Sequence, residues 1–460
     1  MNRLIIKFHV IAVLFLLLFV ETVEGQSPSP QNEILALTNA IIIDGNGGRP
    51  QPRKTIIVSG GRIADIFTTG KKKIPTNATV MDLSGQYVIP GLIDSHYHLL
   101  PYDKEKEKLI ARFALLGGIT SVRDMAGDGI SLAELAKVAR DNNVQSPRIY
   151  FSALMAGQTW FVDARVAMMM RGLPAGQAAW ARAIKPDTDI VKAVTEAKAT
   201  GATGIKLYAD LPPDVVKKIT KEAHRQGLKV WSHTTIFPSK PSDAIAADVD
   251  VVSHSVLIVF ELNDKLPETS DKASYRTVDW KNVSVDSPAI TALLQQMRKQ
   301  GTILDDTIIH TAQRQLPGIV KSEAALPEEK RIPGYASAVE NFTYGITKRA
   351  HQLGIRLTAG TDFSEHPESQ DFPNIHTQME LLVNKCGLTP LEAITTATLN
   401  GAMALGIEKS YGTITKGKVA DLVILSADPS ADIRNTTKIT YVIKGGKLHK
   451  REKVIMPATE

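Results

Sequence analysis

Six side chains of the kind that bind metals follow one another along the chain, each at or just past the end of an apolar run. They are His96, His98, Lys206, His233, His254 and Asp362. In a barrel of alternating strands and helices, catalytic groups come from the C-terminal ends of several different strands. Histidine nitrogens and carboxylate oxygens are also the usual ligands of catalytic zinc and related divalent ions. The order of these residues therefore predicts a metal site at one end of a barrel, and with it metal-dependent hydrolysis.

Eight apolar runs predict the strands of this barrel. They lie at 87–98, 120–125, 148–153, 204–209, 229–234, 250–255, 301–309 and 355–363. Helical patterns fill most of the intervals between them, as at 213–227 and 341–354. Strands that alternate with helices favour a parallel sheet with crossover helices. We therefore predict the α/β fold class and a (β/α)8 TIM barrel.

The first run ends in a His-x-His pair. Because alternate residues of a strand face the same side, His96 and His98 can reach one metal together, whereas Tyr97 points away from it. Each candidate has an ordinary explanation when it is taken singly. A strand-end histidine is more often a hydrogen-bonded polar residue than a ligand, and Lys206 can be a rim residue. The joint order of the six residues is what favours a metal site.

The first 25 residues follow the pattern of a signal peptide. A basic start precedes an apolar core from Ile11 to Val20, and small residues come before Gln26. This core is short for a membrane span of ~20 residues. We predict a signal peptide at 1–25, a linker at 26–33, and export to the periplasm or secretion, with no stable membrane span after processing. An uncleaved membrane anchor is the alternative.

The composition agrees with an exported globular enzyme. Of the 460 residues, 43% are hydrophobic, which is enough for a large core. The single cysteine, Cys386, excludes an internal disulfide framework. The net charge of +6 is spread along the chain, apart from three lysines at 71–73, and no nucleic-acid motif is present. We therefore expect a small-molecule substrate and no nucleic-acid partner.

Several motifs make the chain resemble the amidohydrolase superfamily. PGLIDSHYH (90–98) is similar to the family's opening P-G-x-I-D-x-H-x-H, and GIKL (204–207) to the strand whose lysine is carboxylated in the binuclear branch. The later triplets SHT, SHS and GTD are similar to ligand strands, and 387–425 is typical of the closing stretch. The branch with the greatest resemblance is that of Xaa-Pro dipeptidase-like and imidazolonepropionase-related enzymes.

The resemblance implies two divalent metal ions, which we predict to be Zn²⁺, bridged by a carboxylated Lys206. The ligands that it implies are His96, His98 and Asp362 for the more buried ion, and His233 and His254 for the more exposed one. Asp362 is also expected to take a proton from the attacking hydroxide and to pass it to the leaving amine. One position departs from the family pattern, because Thr235 stands where many members carry a tyrosine that helps to polarise the carbonyl. Tyr208 and Tyr97 are weak substitutes on sequence grounds.

Both ends of the chain carry short β-like runs with glycine-rich turns. They lie at 34–47, 54–67, 78–85, 420–428 and 439–450. The resemblance implies that they form one small β-sandwich, with parts at 34–88 and 408–456, beside a barrel at 89–407. The alternative is two unrelated strand pairs.

Two long connections are expected to shape the substrate pocket, because loops at the C-terminal face of a barrel hold substrate-contacting residues. The segment 154–187 carries Trp160, and its Arg165 or Arg171 can bind a substrate carboxylate with two hydrogen bonds. A helix packed on the barrel wall is the alternative. The segment 256–300 is expected to form a lid or a homo-oligomer contact. The other substrate-binding candidates are Tyr208, His310 and His366. For the two histidines, the alternative is that they are surface or helix-cap residues.

These observations predict a binuclear metal hydrolase that cleaves an amide bond in a dipeptide or an N-acyl amino acid. One alternative is a mononuclear cyclic-amide hydrolase or deaminase of the imidazolonepropionase kind, against which Lys206 argues. The other is a non-catalytic binding protein on the same fold, against which the complete ligand set argues.

Overall fold

The computed structural model describes residues 33–99, 104–141, 144–163, 166–270 and 274–455. The predicted signal peptide and residues 26–32 of the predicted linker lie outside the described residues. The strands are β1 (Ile34–Ile42), β2 (Gln51–Ser59), β3 (Arg62–Thr68), β4 (Ala78–Asp82), β5 (Tyr87–Pro90), β6 (Leu92–Tyr97), β7 (Ile119–Asp124), β8 (Arg148–Gly157), β9 (Gln177–Ala178), β10 (Ala181–Ile184), β11 (Gly204–Leu207), β12 (Lys229–His233), β13 (Val251–Ser253), β14 (Ile303–Asp305), β15 (Leu357–Thr358), β16 (Leu422–Leu425), β17 (Ile439–Lys444) and β18 (Lys447–Lys450).

The α-helices are α1 (Lys104–Leu116), α2 (Gly129–Arg140), α3 (Val166–Met169), α4 (Ile190–Ala199), α5 (Pro213–Arg225), α6 (Pro241–Ala246), α7 (Pro288–Gln300), α8 (Ile308–His310), α9 (Leu316–Ala324), α10 (Tyr335–Gln352), α11 (Asn374–Cys386), α12 (Pro390–Thr395) and α13 (Gly401–Leu405). A π-helical turn, Thr311–Gln315, joins α8 to α9. In the described part of the chain, no helix has both the length and the apolar character that crossing a bilayer requires.

Eight parallel strands form the predicted TIM barrel, in the order β6, β7, β8, β11, β12, β13, β14, β15. The last strand returns to the first through a parallel bridge between Tyr97 and Phe363 and a hydrogen bond from Asp362 N to His96 O of 2.7 Å. Every residue of β6, β7 and β11 is buried. Strands covered on both faces favour apolar residues, but β7 also buries Thr120, Ser121, Arg123 and Asp124.

The helices cover the barrel with one apolar face each. In α5, Pro213 stands in the first turn, where its missing N–H costs nothing. Val216, Ile219 and Ala223 recur three and four positions apart, so they fall on one side of the helix, and all are buried. The predicted helix at 213–227 is confirmed to within two residues.

The apolar run at 87–98 is two strands rather than one. Its first part, β5, pairs with β1 and β16 in the terminal sheet, and its second part, β6, belongs to the barrel. Gly91 separates them, and a Cβ at this position would lie 2.2 Å from Thr120 Oγ1. The chain passes from one sheet to the other where only a glycine allows β7 to come so close.

Both ends of the chain form the predicted small sandwich domain. One eight-stranded sheet runs in the order β18, β17, β16, β5, β1, β2, β3, with β4 also paired to β1. Its core packs residues of the first part against residues of the second, among them Leu37, Ile56, Val88, Leu422 and Ile443. The run predicted at 54–67 is a hairpin, because β2 and β3 meet at a turn through Gly60 and Gly61, both with positive φ.

The connection after β8 lies over the barrel mouth rather than forming a helix on the wall. It contains a 3₁₀ turn (Gln158–Val162), the short helix α3 and the hairpin β9–β10, whose second strand pairs with the end of β8. Trp160 and Met169 from this connection line the barrel cavity. The predicted pocket loop is therefore favoured over its helical alternative.

Candidate metal centre

The six predicted metal-binding side chains meet at the C-terminal end of the barrel. They lie at the ends of β6 (His96, His98) and β12 (His233), within β11 (Lys206), just past β13 (His254) and four residues past β15 (Asp362). All six line one cavity of about 720 Å³. The structure thus brings the predicted ligand set around a single space.

Asp362 makes most of the contacts among these side chains. Its Oδ1 lies 2.9 Å from His98 Nε2 and 3.4 Å from His96 Nε2. Its Oδ2 lies 3.8 Å from His254 Nδ1. Ligand atoms of His96, His254 and Asp362 all lie within 4.8 Å of one another, close enough to share one ion. His98 and His233, the other histidines of the implied ligand set, line the same cavity.

His233 extends the group on the side of β11. Its ring centroid lies 4.6 Å from that of His254 and 4.0 Å from that of Tyr208. Burial lowers the pKa of both His233 and His254 well below the usual value. Since neutral imidazole is the form that binds metals, these two rings are held ready to act as ligands.

Lys206 is a buried amine in an otherwise apolar strand. The residue is 1% exposed, and its Nζ has no hydrogen-bond partner among the described residues. Burial, and after it the positive charge of Arg123, lowers the pKa of Lys206 to about 7. A buried polar group without a partner is costly and calls for an explanation. The donor set of imidazole nitrogens and a carboxylate fits divalent cations. Carboxylation of Lys206 would make its side chain a further ligand and would give the nitrogen a role that no neighbouring side chain provides.

Left-handed backbone at two strand ends directs ligands into the cavity. His254 has a φ of 72° and Asp362 a φ of 59°. Such angles cost energy for residues other than glycine and are concentrated at functional sites. Thr307 Oγ1 lies 2.8 Å from His254 Nδ1 and holds this ring in place.

Asp305, at the end of β14, holds His96 from the side away from the cavity. Its Oδ2 accepts a hydrogen bond from His96 Nδ1 at 2.8 Å, which directs His96 Nε2 toward Asp362. Arg123 Nη2 donates to the same oxygen at 2.9 Å. Among the described residues, the hydroxyls of Ser95, Ser253 and Thr358 also donate to Asp305. A Cβ at Gly360 would lie 2.1 Å from Asp305 Oδ1, so the glycine of the GTD motif makes room for this carboxylate.

We expect Asp305→Asn to lower metal affinity by about 10- to 100-fold, the usual effect of removing a group that orients a ligand histidine. The buried Arg123 also loses its ion-pair partner, which costs roughly 3–5 kcal/mol when one member of such a pair is removed. Competition with a chromophoric chelator and thermal unfolding measure the two effects. Asp306→Asn is the matched control, because burial raises the pKa of the adjacent Asp306 well above its usual value and a neutral amide replaces it closely. Equal metal affinity in the two variants would show that Asp305 does not orient His96.

Three of the predicted substrate-binding residues line the cavity, namely Trp160, Tyr208 and His310. Trp160 and Tyr208 are in ring contact at 4.6 Å. His310 Nδ1 lies 3.6 Å from Asp362 Oδ2, which puts this histidine at the metal centre.

Arg171 and His366 are not among the described residues that line the cavity. Arg171 donates to Asp128 Oδ2 at 2.9 Å, and His366 Nδ1 lies 3.4 Å from Glu368 Oε1. That these two residues contact substrate stays a prediction. Arg165 lies outside the described residues.

The position that carries a tyrosine in many relatives gives no free hydroxyl here. Thr235 lines the cavity, but its Oγ1 donates to Leu257 O at 2.8 Å. Tyr97 is 1% exposed and packs in the barrel core, as the strand alternation predicts. Tyr275 is a further cavity tyrosine, whose hydroxyl is hydrogen-bonded to Gln315.

Three residues of the site escape the sequence argument: Asp305, Tyr275 and Arg314. Asp305 is one of two adjacent aspartates in a predicted strand, and the strand-end rule that singled out the ligands applies to it equally. Tyr275 and Arg314 lie in connections whose course over the barrel mouth no local pattern reveals.

Comparisons with known proteins agree with this architecture. The sequence profile of the Amidohydrolase family matches residues 87–449. An imidazolonepropionase from Symbiobacterium thermophilum is 24% identical over 415 residues, covering 87% of this chain and 90% of the relative. An ochratoxinase from Aspergillus niger is 24% identical over 461 residues, covering 89% of this chain and 85% of the relative. The crystal structure of a Xaa-Pro dipeptidase with bound methionine in the active site has a TM-score of 0.70 at 21% identity, covering 91% of this chain and 100% of that one.

Proposed function

The chain belongs to the amidohydrolase family, and on this premise we propose that it is a binuclear metal-dependent hydrolase that cleaves an amide bond in a dipeptide or an N-acyl amino acid. The observation that carries the proposal is the buried Lys206 amine without a partner, set among four histidines and Asp362. A single metal ion on histidines and a carboxylate has no use for a lysine at this place.

Carboxylation of Lys206 accounts for its position. A neutral amine adds to carbon dioxide, forming one N–C bond and releasing one proton, and the product is an anionic carbamate. The carbamate offers two oxygen atoms as metal ligands in place of the amine nitrogen. His96, His98 and Asp362 would hold one ion with it, and His233 and His254 the other. Two bound divalent cations, Zn²⁺ in our proposal, would supply a Lewis acid and a water of lowered pKa.

Asp362 is the group that moves the proton. Burial acts to raise its pKa, but the charges of His310 and His96 and the hydrogen bond from His98 keep it well below the usual value. An ionised carboxylate at this point can accept a proton from the attacking water. The same carboxyl group then donates to the nitrogen of the leaving amine, as general base and then general acid.

The names of the relatives bear on the substrate. The structural neighbour named a Xaa-Pro dipeptidase supports a dipeptide substrate. The relatives named imidazolonepropionase favour a second candidate, a mononuclear enzyme that acts on a cyclic amide. Lys206 argues for the first candidate, because a mononuclear site does not need a bridging carbamate.

We expect elemental analysis of the purified chain to give two divalent ions, and a library of dipeptides and N-acyl amino acids to release free amine on the zinc-loaded protein. One ion per chain with activity only on cyclic amides would favour the mononuclear candidate. Absence of bound ions and of any turnover would favour a non-catalytic binding protein. We also propose that the protein is exported and that it forms a homo-oligomer. Fractionation of the native host tests export, and measurement of the molar mass in solution tests assembly.

A further inference from the structure

A guanidinium group stands in the cavity beside the metal centre. Arg314 lies on the π-helical turn Thr311–Gln315 and lines the cavity. Its Cζ lies 4.3 Å from the centroid of the Phe363 ring. Phe363 follows Asp362 directly, and its ring centroid lies 5.9 Å from that of His310, which itself reaches Asp362. Arg314 is exposed, and its guanidinium stacks on the residue that follows the proposed proton shuttle.

Arg314 has its charge available for a ligand. Among the described residues, it forms no ion pair and no hydrogen bond. Two of the carboxylates that line the cavity have other partners, since Asp362 faces histidines and Asp128 accepts from Arg171. Stacking on an aromatic face fixes the plane of the guanidinium and leaves the N–H groups at its edge free to bind a carboxylate with two parallel hydrogen bonds.

The opposite wall of the cavity has a different character. Trp160 follows β8 and Tyr208 follows β11, the third and fourth strands around the barrel, whereas Arg314 and Phe363 follow the seventh and eighth. In strand order, the two pairs therefore belong to opposite sides of the barrel. The Trp160 and Tyr208 rings form an aromatic surface that continues to His233.

We propose that Arg314 binds the α-carboxylate of the amino acid that leaves, while the Trp160–Tyr208 surface receives an apolar acyl group. The inference rests on the proposed function and names its substrate as an N-acylated amino acid with a free carboxylate. In such a substrate the carboxylate carbon is two bonds from the amide nitrogen. Asp362 protonates that nitrogen, so the carboxylate lies on the Asp362 side of the cavity, where Arg314 stands.

The test compares N-benzoylglycine with N-benzoylglycinamide, which differ only in the charge at the glycine end. We expect Arg314→Met to lower kcat/KM for N-benzoylglycine, the acid, by about 10- to 100-fold, the usual effect of losing a hydrogen-bonded charge. Its kcat/KM for N-benzoylglycinamide, the amide, should change by less than threefold. Arg314→Lys keeps the positive charge but not the planar guanidinium, so its kcat/KM for the acid should fall between those of the parent and Arg314→Met. Trp160→Ala should reduce kcat/KM for both substrates alike. Arg356→Met is the matched control, since Arg356 is exposed and precedes β15 at the other end of the barrel.

Calorimetric titration of the same pair into the parent and into Arg314→Met reports binding without turnover. If Arg314→Met weakens acid and amide equally, the carboxylate site is wrong while amide hydrolysis stands. If the parent hydrolyses no library member but binds the acid more tightly than the amide in an Arg314-dependent way, the proposed function fails and the carboxylate site stands. If the parent binds neither, the carboxylate site is refuted.

Discussion

Lys206→Ala is expected to lose most of its bound metal and nearly all of its activity. The carbamate proposed at this nitrogen would be a ligand of both ions, so its removal would weaken both sites at once. Lys206→Glu, which places a permanent carboxylate on the same strand, should recover part of the metal content. Short carboxylic acids added to Lys206→Ala should recover some as well. Elemental analysis after gel filtration measures the outcome.

A second buried lysine provides the control. Lys444 is 0% exposed and donates to Ala139 O, away from the residues that line the cavity. Lys444→Met should retain the parental metal content even if its thermal unfolding temperature falls. Full metal content in Lys206→Ala, or an electron-density map with an unmodified Lys206 away from any metal, would refute the bridge.

The barrel was accessible to sequence reasoning because of how its strands are buried. Parallel strands covered on both faces favour apolar residues, and most of the ligand residues lie near the ends of such runs. The division of 87–98 into β5 and β6 was not accessible, since the residues on both sides of Gly91 are apolar. It depends on the approach of Thr120 from β7, which is a tertiary contact.

The candidate site was predictable to the extent that it obeys the strand-end rule. His96, His98, His233, His254 and Asp362 follow that rule, and the fold brings them together. Arg171 shows its limit. Arg171, the loop arginine expected to meet substrate, is hydrogen-bonded to Asp128 and Ser131. Arg314, which was not predicted, lines the cavity from a turn that begins six residues past β14. Which arginine faces the cavity depends on the path of each connection, and that path follows from packing rather than from local pattern.

Asp362→Asn is expected to keep the metal centre largely intact and to reduce turnover by ~10²–10⁴-fold, the usual contribution of a positioned general acid or base. Asparagine tolerates left-handed φ better than most residues, so the backbone at 59° and the hydrogen bond to His96 O should survive. The amide oxygen can replace one ligand oxygen, but the basic group is gone. Metal content, substrate affinity and turnover should be measured on one preparation.

Asp210→Asn is the matched control, because Asp210 has the same φ of 59° at a strand end and is not among the residues that line the metal cavity. It should keep turnover within a few-fold of the parent and so separate the backbone effect from the chemical one. If Asp362→Asn holds two metals and also turns over within a few-fold of the parent, Asp362 is only a ligand. The proton would then have to move through His310, whose Nδ1 lies 3.6 Å from Asp362 Oδ2, and His310→Gln would carry the large loss instead.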